Sequence, residues 1–141
     1  MRVSMGIDVG HTTGLAVVAY FESPKKPVVY HAFSYPVNEL KRLERDLWDC
    51  INRYKPDEVL VEYPEVTRHN TYKPELLKNI ISLVRDMLTK VPCVREVRPT
   101  DWKQTPALDK EFRYGQSLNT RHEADAAKMC FWASVYAKRS V

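Results

Sequence analysis

Glycine and cysteine are scarce in this chain of 141 residues, and long apolar runs are missing. The four glycines are not grouped in a low-complexity stretch, and no repeat at solenoid spacing is found, which argues against disorder and against a repeat architecture. The three cysteines are scattered without a CxxC pair, so we expect reduced thiols and no structural zinc site. No stretch is apolar enough to cross a bilayer and no signal peptide is recognised, which predicts a cytoplasmic protein without a membrane partner.

The chain is rich in apolar residues and has more basic than acidic side chains. Hydrophobic residues make up 44% of it, enough to fill a core, and we expect one domain over residues 1–141. The net charge is +4 and the isoelectric point is near 9.0. This modest excess of positive charge favours a polyanionic partner, although it also serves solubility.

The pattern of apolar residues predicts three consecutive strands, followed by alternating helices and strands. Alternation at 2–9, 13–20 and 28–35 predicts an antiparallel meander. A helix from about Val37 with Asn38 as its N-cap, a strand over Val59–Glu62, a helix from Pro74, a strand at 93–99 and a last helix follow. The segment 100–119 is expected to be irregular. The order βββ-α-β-α-β-α predicts an α/β fold, with a mixed five-stranded sheet of an antiparallel meander plus parallel strands, flanked by helices.

Three carboxylates stand in places where an unpaired charge is costly. Asp8 follows an apolar strand, Glu62 ends the apolar run VLVE, and Asp125 lies on the face of the last helix that its spacing turns towards the sheet. His122 precedes Asp125 by three residues, on the same helix face. If the strands of Asp8 and Glu62 are parallel neighbours, these groups converge, and divalent cations such as Mg²⁺ or Mn²⁺ would relieve their repulsion.

Each of these residues also has an ordinary explanation. Glu62 could be a solvent-facing acid at a strand end, and His122 could be a surface residue of the first helical turn. Asp125 could interact favourably with the helix dipole. Glu123 forms a T-x-x-E capping box with Thr120, which predicts a capping role rather than catalysis.

Taken together, residues 1–20 and the segments VLVEYP and HEADAA resemble the RuvC-type Holliday junction resolvases, which are RNase H-like nucleases. The resemblance runs from Met1 to about Ala137, and its motif residues fall on Asp8, Glu62, His122 and Asp125. It implies that these four are the catalytic and metal-binding residues, with His122 acting as a ligand or moving a proton. It also implies two Mg²⁺ or Mn²⁺ ions, a homodimer, and paired symmetric nicks in a four-way DNA junction.

Two further details bear on this resemblance. The segment RPTDWK is similar to one found in phage-borne relatives, which predicts a bacterial cell or a phage-infected host as the setting. The bacterial resolvases carry an aromatic wedge shortly after the glutamate, whereas Glu65 stands three residues after Glu62 here, and Tyr63 and Tyr72 are the nearest aromatic residues. Cutting of branched DNA with a broader preference is therefore an open alternative.

Two basic segments that also contain aromatic residues are candidates for DNA contact. One is TRHNTYKP, and the other follows residue 100 and carries Trp102 and Tyr114. Either could instead be an ordinary polar loop. The residues predicted to contact DNA are Arg68, His69, Asn70, Tyr72, Lys73, Lys103, Lys110, Arg113 and Arg121.

Three other functions remain open at this point. The segment DVGHTTG resembles the phosphate loop of actin-like ATPases and sugar kinases, but those proteins use two such domains. A nuclease of the same fold could act on flaps or RNA–DNA hybrids, and a non-catalytic DNA-binding or assembly module could retain the fold.

If the chain dimerises, the second helix is the expected interface because apolar residues extend beyond its core-facing stripe; these are Leu76, Ile80, Leu83 and Met87.

Overall fold

A single mixed sheet with helices on both faces organises the chain. The computed structural model describes residues 1–21, 27–66, 73–103, 113–114 and 121–135, with backbone only for 113, 114 and 135. Within these ranges the strands are β1 (Arg2–Asp8), β2 (Thr12–Tyr20), β3 (Val28–Pro36), β4 (Glu58–Glu62), β5 (Val94–Glu96) and β6 (Arg113–Tyr114). The helices are α1 (Leu40–Tyr54), α2 (Pro74–Leu88), α3 (Pro99–Trp102) and α4 (Arg121–Val135).

The strand order in the sheet is β5-β4-β1-β2-β3-β6. β1 pairs antiparallel with β2, and β2 pairs antiparallel with β3, which confirms the predicted meander. β4 lies parallel to β1 and β5 lies parallel to β4, which confirms the predicted parallel part. The two-residue strand β6 extends the sheet beyond the five predicted strands, parallel to β3.

The two faces of the sheet bury two separate apolar cores. On β1, Val3, Met5 and Ile7 belong to the larger core, which α1 and α2 cover. The intervening residues of β1 face the other side, where α4 packs and where Ala126 and Cys130 are buried. The two-residue period of the strand therefore turns Asp8 towards α4.

Three predictions about individual residues are wrong. α1 begins at Leu40 rather than at Val37, because the Val37 N–H donates to the carbonyl oxygen of His11 (2.8 Å) and ties this segment to the β1–β2 turn. The residue at the N-cap is accordingly Glu39, not Asn38. Ile80 is fully buried in the larger core, so it cannot contribute to an interface on the surface of α2.

The irregular segment predicted over 100–119 contains two short elements, α3 and β6. Its tryptophan, Trp102, is buried, with only 1% of its surface exposed. Its place in a basic segment had suggested that Trp102 stacks on a DNA base. Because the side chain is buried, it cannot do so. Among the described residues, we find no helix that is both long enough and apolar enough to cross a membrane.

Candidate active site

Asp8 and Glu62 lie side by side where two parallel strands end. They are direct partners in the β1–β4 ladder. The ladder continues one residue further, because the Val9 N–H donates to the carbonyl oxygen of Glu62 at 3.0 Å. The parallel arrangement assumed from the sequence is therefore present, and it places both carboxylates at the same edge of the sheet.

Two glycines allow α4 to approach this edge closely. A Cβ atom added at Gly6 would meet the carbonyl oxygen of Ala126, and one added at Gly14 would meet that of His122. The backbone of α4 thus lies directly on β1 and β2, in space that any other residue would fill. This contact places the first turns of α4 beside Asp8.

One cavity brings the four predicted site residues together. It measures about 440 Å³ and is lined by Asp8, Glu62, His122, Asp125, Trp102, Lys103, Arg121 and Lys128. Acidic groups occupy its floor at the sheet edge, and the basic residues come from α4 and from the residue that follows α3. The cavity therefore combines carboxylates with three cationic side chains.

A second cavity, of about 970 Å³, shares Asp8 and Glu62 with the first. Its other walls include Tyr63, Glu65 and Arg98. The two carboxylates consequently form part of the wall between two open spaces. A chain-like ligand could pass over this wall and occupy both sides.

The neighbouring charges and the burial of Asp8 make its ionisation difficult. The pKa of Asp8 is raised to about 7; burial is the largest cause, followed by the hydrogen bond that the protonated form makes with Glu62. The charges of Glu62 and Asp125 contribute to the same rise, whereas His122 opposes it. In the absence of a cation, Asp8 therefore keeps its proton to a much higher pH than an ordinary aspartate does.

Asp125 has a different balance of charges. Burial raises its pKa above the usual value for an aspartate, while four positively charged or ionisable neighbours oppose this shift. The largest opposing effect comes from Lys128, followed by Arg121 and Lys103. Asp125 therefore lies between the acidic sheet edge and the basic wall of the cavity.

The donor set at this edge fits a hard divalent cation. Glu62 Oε1 is buried and accepts no hydrogen bond from a described residue, which is the state of an oxygen that a cation would satisfy. Carboxylate oxygens are the ligands that Mg²⁺ and Mn²⁺ prefer. Within the described ranges, however, no three His, Cys, Asp or Glu side chains are close enough to enclose an ion. A cation here would need water or phosphate oxygens to complete its shell, as is common for Mg²⁺.

Lys128 is a cavity residue that the sequence reasoning missed. It follows Asp125 by three residues, so the helical spacing that joined His122 to Asp125 could have identified it. Its ammonium group donates to the carbonyl oxygen of Lys103 at 2.9 Å and so connects α4 to the end of α3.

The predicted DNA contacts have different outcomes. Lys103 and Arg121 line the first cavity, and Lys73 lies exposed at the start of α2. Only the backbone of Arg113 is described, in β6. The other predictions fall outside the described residues; these are Arg68, His69, Asn70, Tyr72 and Lys110.

Glu123 is not in solvent at the start of α4. It is buried, and its Oε1 accepts a hydrogen bond from Ser34 Oγ at 3.1 Å, which joins α4 to β3. Thr120, the partner in the predicted capping box, lies outside the described residues. The capping role of Glu123 therefore stays a prediction, and its observed contact is a tertiary one.

Comparison with solved structures identifies the fold. Thermus thermophilus RuvC aligns with a TM-score of 0.73 and 21% identity, over 99% of this chain and 97% of that one. T. thermophilus RuvC in complex with Holliday junction substrate also gives 0.73, with 22% identity over 99% and 96%. The yeast mitochondrial Holliday junction resolvase Ydc2 gives 0.58, with 12% identity over 98% and 84%. No model of a protein family and no curated protein sequence matches the chain.

The protein therefore has an RNase H-like nuclease fold. Within that class, its fold is that of RuvC and related Holliday junction resolvases, which confirms the resemblance at the level of the fold.

Proposed function

We propose that this protein is a metal-dependent endonuclease that resolves four-way DNA junctions by paired nicks. The observation that carries the proposal is the pairing of Asp8 with Glu62 on one rung of the sheet, in a cavity that Asp125 also lines. The RuvC-type fold supports the same function, because proteins with Holliday junction substrates have this fold.

Asp8, Glu62 and Asp125 are the proposed ligands of two Mg²⁺ or Mn²⁺ ions. When bound, such ions supply an activated water and stabilise the charge of the leaving oxygen in phosphodiester hydrolysis. The protein itself contributes rigid positions, since two ligands are fixed by the β1–β4 ladder and the third by the contact of α4 with the glycines. His122 is proposed either to bind one ion through a neutral ring nitrogen or to move a proton.

The basic wall of the cavity is the proposed binding surface for the DNA backbone. Lys103 and Arg121 line the same space as the carboxylates, so a phosphate beside the acidic edge would lie near both of these cations. The overall charge of +4 would attract DNA in the same way without reading sequence.

A nuclease for other branched or hybrid nucleic acids is the second candidate. Glu65, which stands where the resemblance leads one to expect an aromatic wedge, is exposed and lines the cavity beyond Asp8 and Glu62. An acidic side chain cannot stack on a base pair at a junction crossover. The protein would then bind branched DNA with less dependence on the crossover.

A homodimer is part of the proposal, because resolving a two-fold junction needs two symmetric cuts. Leu83 and Met87 are only partly buried on α2, and together with the exposed Trp48 they line a groove of about 700 Å³ between α1 and α2. Light scattering after gel filtration gives the mass in solution, and a monomer at working concentration would contradict this part of the proposal.

The deciding experiment is cleavage of a synthetic immobile four-way junction. Matched duplex, flap and RNA–DNA hybrid substrates are compared in Mg²⁺ and in EDTA, with Asp8→Asn as the control for a contaminating nuclease. Symmetric, Mg²⁺-dependent nicks that ligase can seal would support junction resolution. Cutting of flaps or hybrids without the junction would favour the second candidate, and binding without any cutting would favour a non-catalytic module.

A further inference from the structure

The residues that follow β5 form a short, well-anchored turn at the basic side of the cavity. Asp101 Oδ2 accepts a hydrogen bond from the N–H of Arg98 at 2.8 Å, and the N–H of Asp101 donates to the carbonyl oxygen of Arg98 at 2.9 Å. Trp102 is buried in the same apolar core as Ala126 and Cys130 of α4. The turn is thus fixed internally and by one large side chain.

The last residue of this turn carries a cation into the cavity. Lys103 has an exposed side chain that lines the cavity, and its N–H donates to the carbonyl oxygen of Pro99 at 3.0 Å. Its own carbonyl oxygen accepts the bond from Lys128 Nζ. Lys103 is the C-cap of the four-residue helix α3, so the bond from Lys128 ties the turn to α4 at the point where this helix ends.

We propose that Lys128 is a positioning residue, which fixes the Lys103 side chain beside the acidic edge by holding the Lys103 carbonyl. We name this contact the Lys128 bridge. The inference rests on the proposed function for its effect on cleavage, but the contact itself can be tested without any activity. It adds a role for a residue of α4 that is neither a metal ligand nor assigned to DNA contact by the sequence.

The geometry explains why a lysine suits this position. Lys128 is partly buried, and its long side chain lets the ammonium group reach the Lys103 carbonyl 2.9 Å away. Lys128 also lines the cavity that contains Asp125. Loss of the ammonium would release the end of α3 and let the Lys103 side chain move, while Trp102 would hold the turn less firmly.

The first test uses Trp102 as a reporter in protein free of metal and DNA. In a background with Trp48→Phe and Trp132→Phe, Trp102 is the remaining tryptophan. Lys128→Met keeps the stem and removes the ammonium, and we expect acrylamide to quench Trp102 fluorescence at least about twofold more strongly than in the parent, as for a side chain whose packing has loosened. Lys128→Arg should restore low quenching. Unchanged quenching in the methionine variant would overturn the bridge.

The second test separates positioning from direct contact with DNA. Under single-turnover conditions with saturating junction, Lys128→Met should slow cleavage by about tenfold, because a misplaced group costs rate rather than affinity. Lys78→Met, at an exposed lysine of α2 that lies outside the cavities and the groove, removes the same charge and should cut at the parental rate. The dissociation constant for the junction should change no more in Lys128→Met than in this control.

The decisive comparison is the double variant with Lys103→Met. If Lys128 acts through the Lys103 side chain, the double variant cuts as slowly as Lys103→Met alone, within about twofold. Effects that multiply would show that Lys128 contacts the substrate itself and would overturn the proposal. A parent protein that cuts no substrate would contradict the proposed function, whereas the fluorescence result would still decide whether the bridge exists.

Discussion

Replacing Asp8 with asparagine should stabilise the metal-free protein, and more strongly as the pH rises. The pKa of Asp8 is raised from 3.8 to about 7 in the folded protein. The folded state therefore binds this proton more tightly than the unfolded state, and the free energy of unfolding falls as the pH rises between these two values. Asparagine has the shape of the protonated acid and carries no charge, so it removes this loss.

The size of the effect follows from the shift. Between pH 5 and pH 7 the folded state keeps the proton that the unfolded state has released, and each pH unit is worth about 1.4 kcal/mol. The advantage of Asp8→Asn over the parent should thus grow by about 3 kcal/mol from pH 5 to pH 8. This figure is an upper value, because the Asp8 side chain is partly solvated.

Urea unfolding in EDTA at both pH values measures the difference directly. Glu44→Gln, a change at an exposed carboxylate of α1, serves as the control for loss of one negative charge. Addition of Mg²⁺ at pH 8 should stabilise the parent and leave Asp8→Asn nearly unchanged, since only the parent binds the ion well. An advantage of Asp8→Asn that is the same at pH 5 and pH 8 would refute the conclusion that Asp8 ionises with difficulty.

Three other measurements test the fold and the surface. Gly14→Ala should lower the free energy of unfolding by about 1–3 kcal/mol or more and abolish cleavage, because the new methyl group meets the backbone of α4. Gly10→Ala makes only ordinary contacts and should unfold in urea close to the parent. Equal losses of stability in the two variants would contradict the close contact. Tyr35→Phe should lose about 1–3 kcal/mol, because the Tyr35 hydroxyl donates to Asp46 at 2.7 Å; an unchanged urea midpoint would show that this bond adds nothing. The affinity for the junction should fall steeply with added salt, because binding releases counterions from the DNA and this release becomes less favourable as the salt concentration rises. A dissociation constant that does not change with salt, measured by fluorescence anisotropy, would exclude the phosphate contacts.

The sheet edge could be predicted because its signals are local and strong. Asp8 and Glu62 each follow a run of apolar residues, and alternation of strands with helices requires a parallel pair. The face of α4 that packs on the sheet could be predicted for the same reason. Asp125 lies on the same helical stripe as Met129 and Ala133, both of which are buried.

The basic wall was harder to predict because its contacts are not periodic. α3 is one turn long, too short for a helical pattern to appear in the sequence. Trp102 stands among polar residues, and only the tertiary structure shows that it enters the core beside α4. The Lys128 bridge joins a side chain to a backbone carbonyl 25 residues away. Every residue has a backbone carbonyl, so the sequence does not indicate which one accepts this bond.

The close contact between α4 and the two glycines also has a consequence for the order in which the site is completed during synthesis. Gly6 and Gly14 lie on the first two strands, whereas the helix that covers them is made more than a hundred residues later. Until α4 leaves the ribosome, the sheet edge has its paired acids but lacks Asp125 and most of the basic wall. A nascent chain from which α4 has not yet emerged therefore carries only the paired acids of the site.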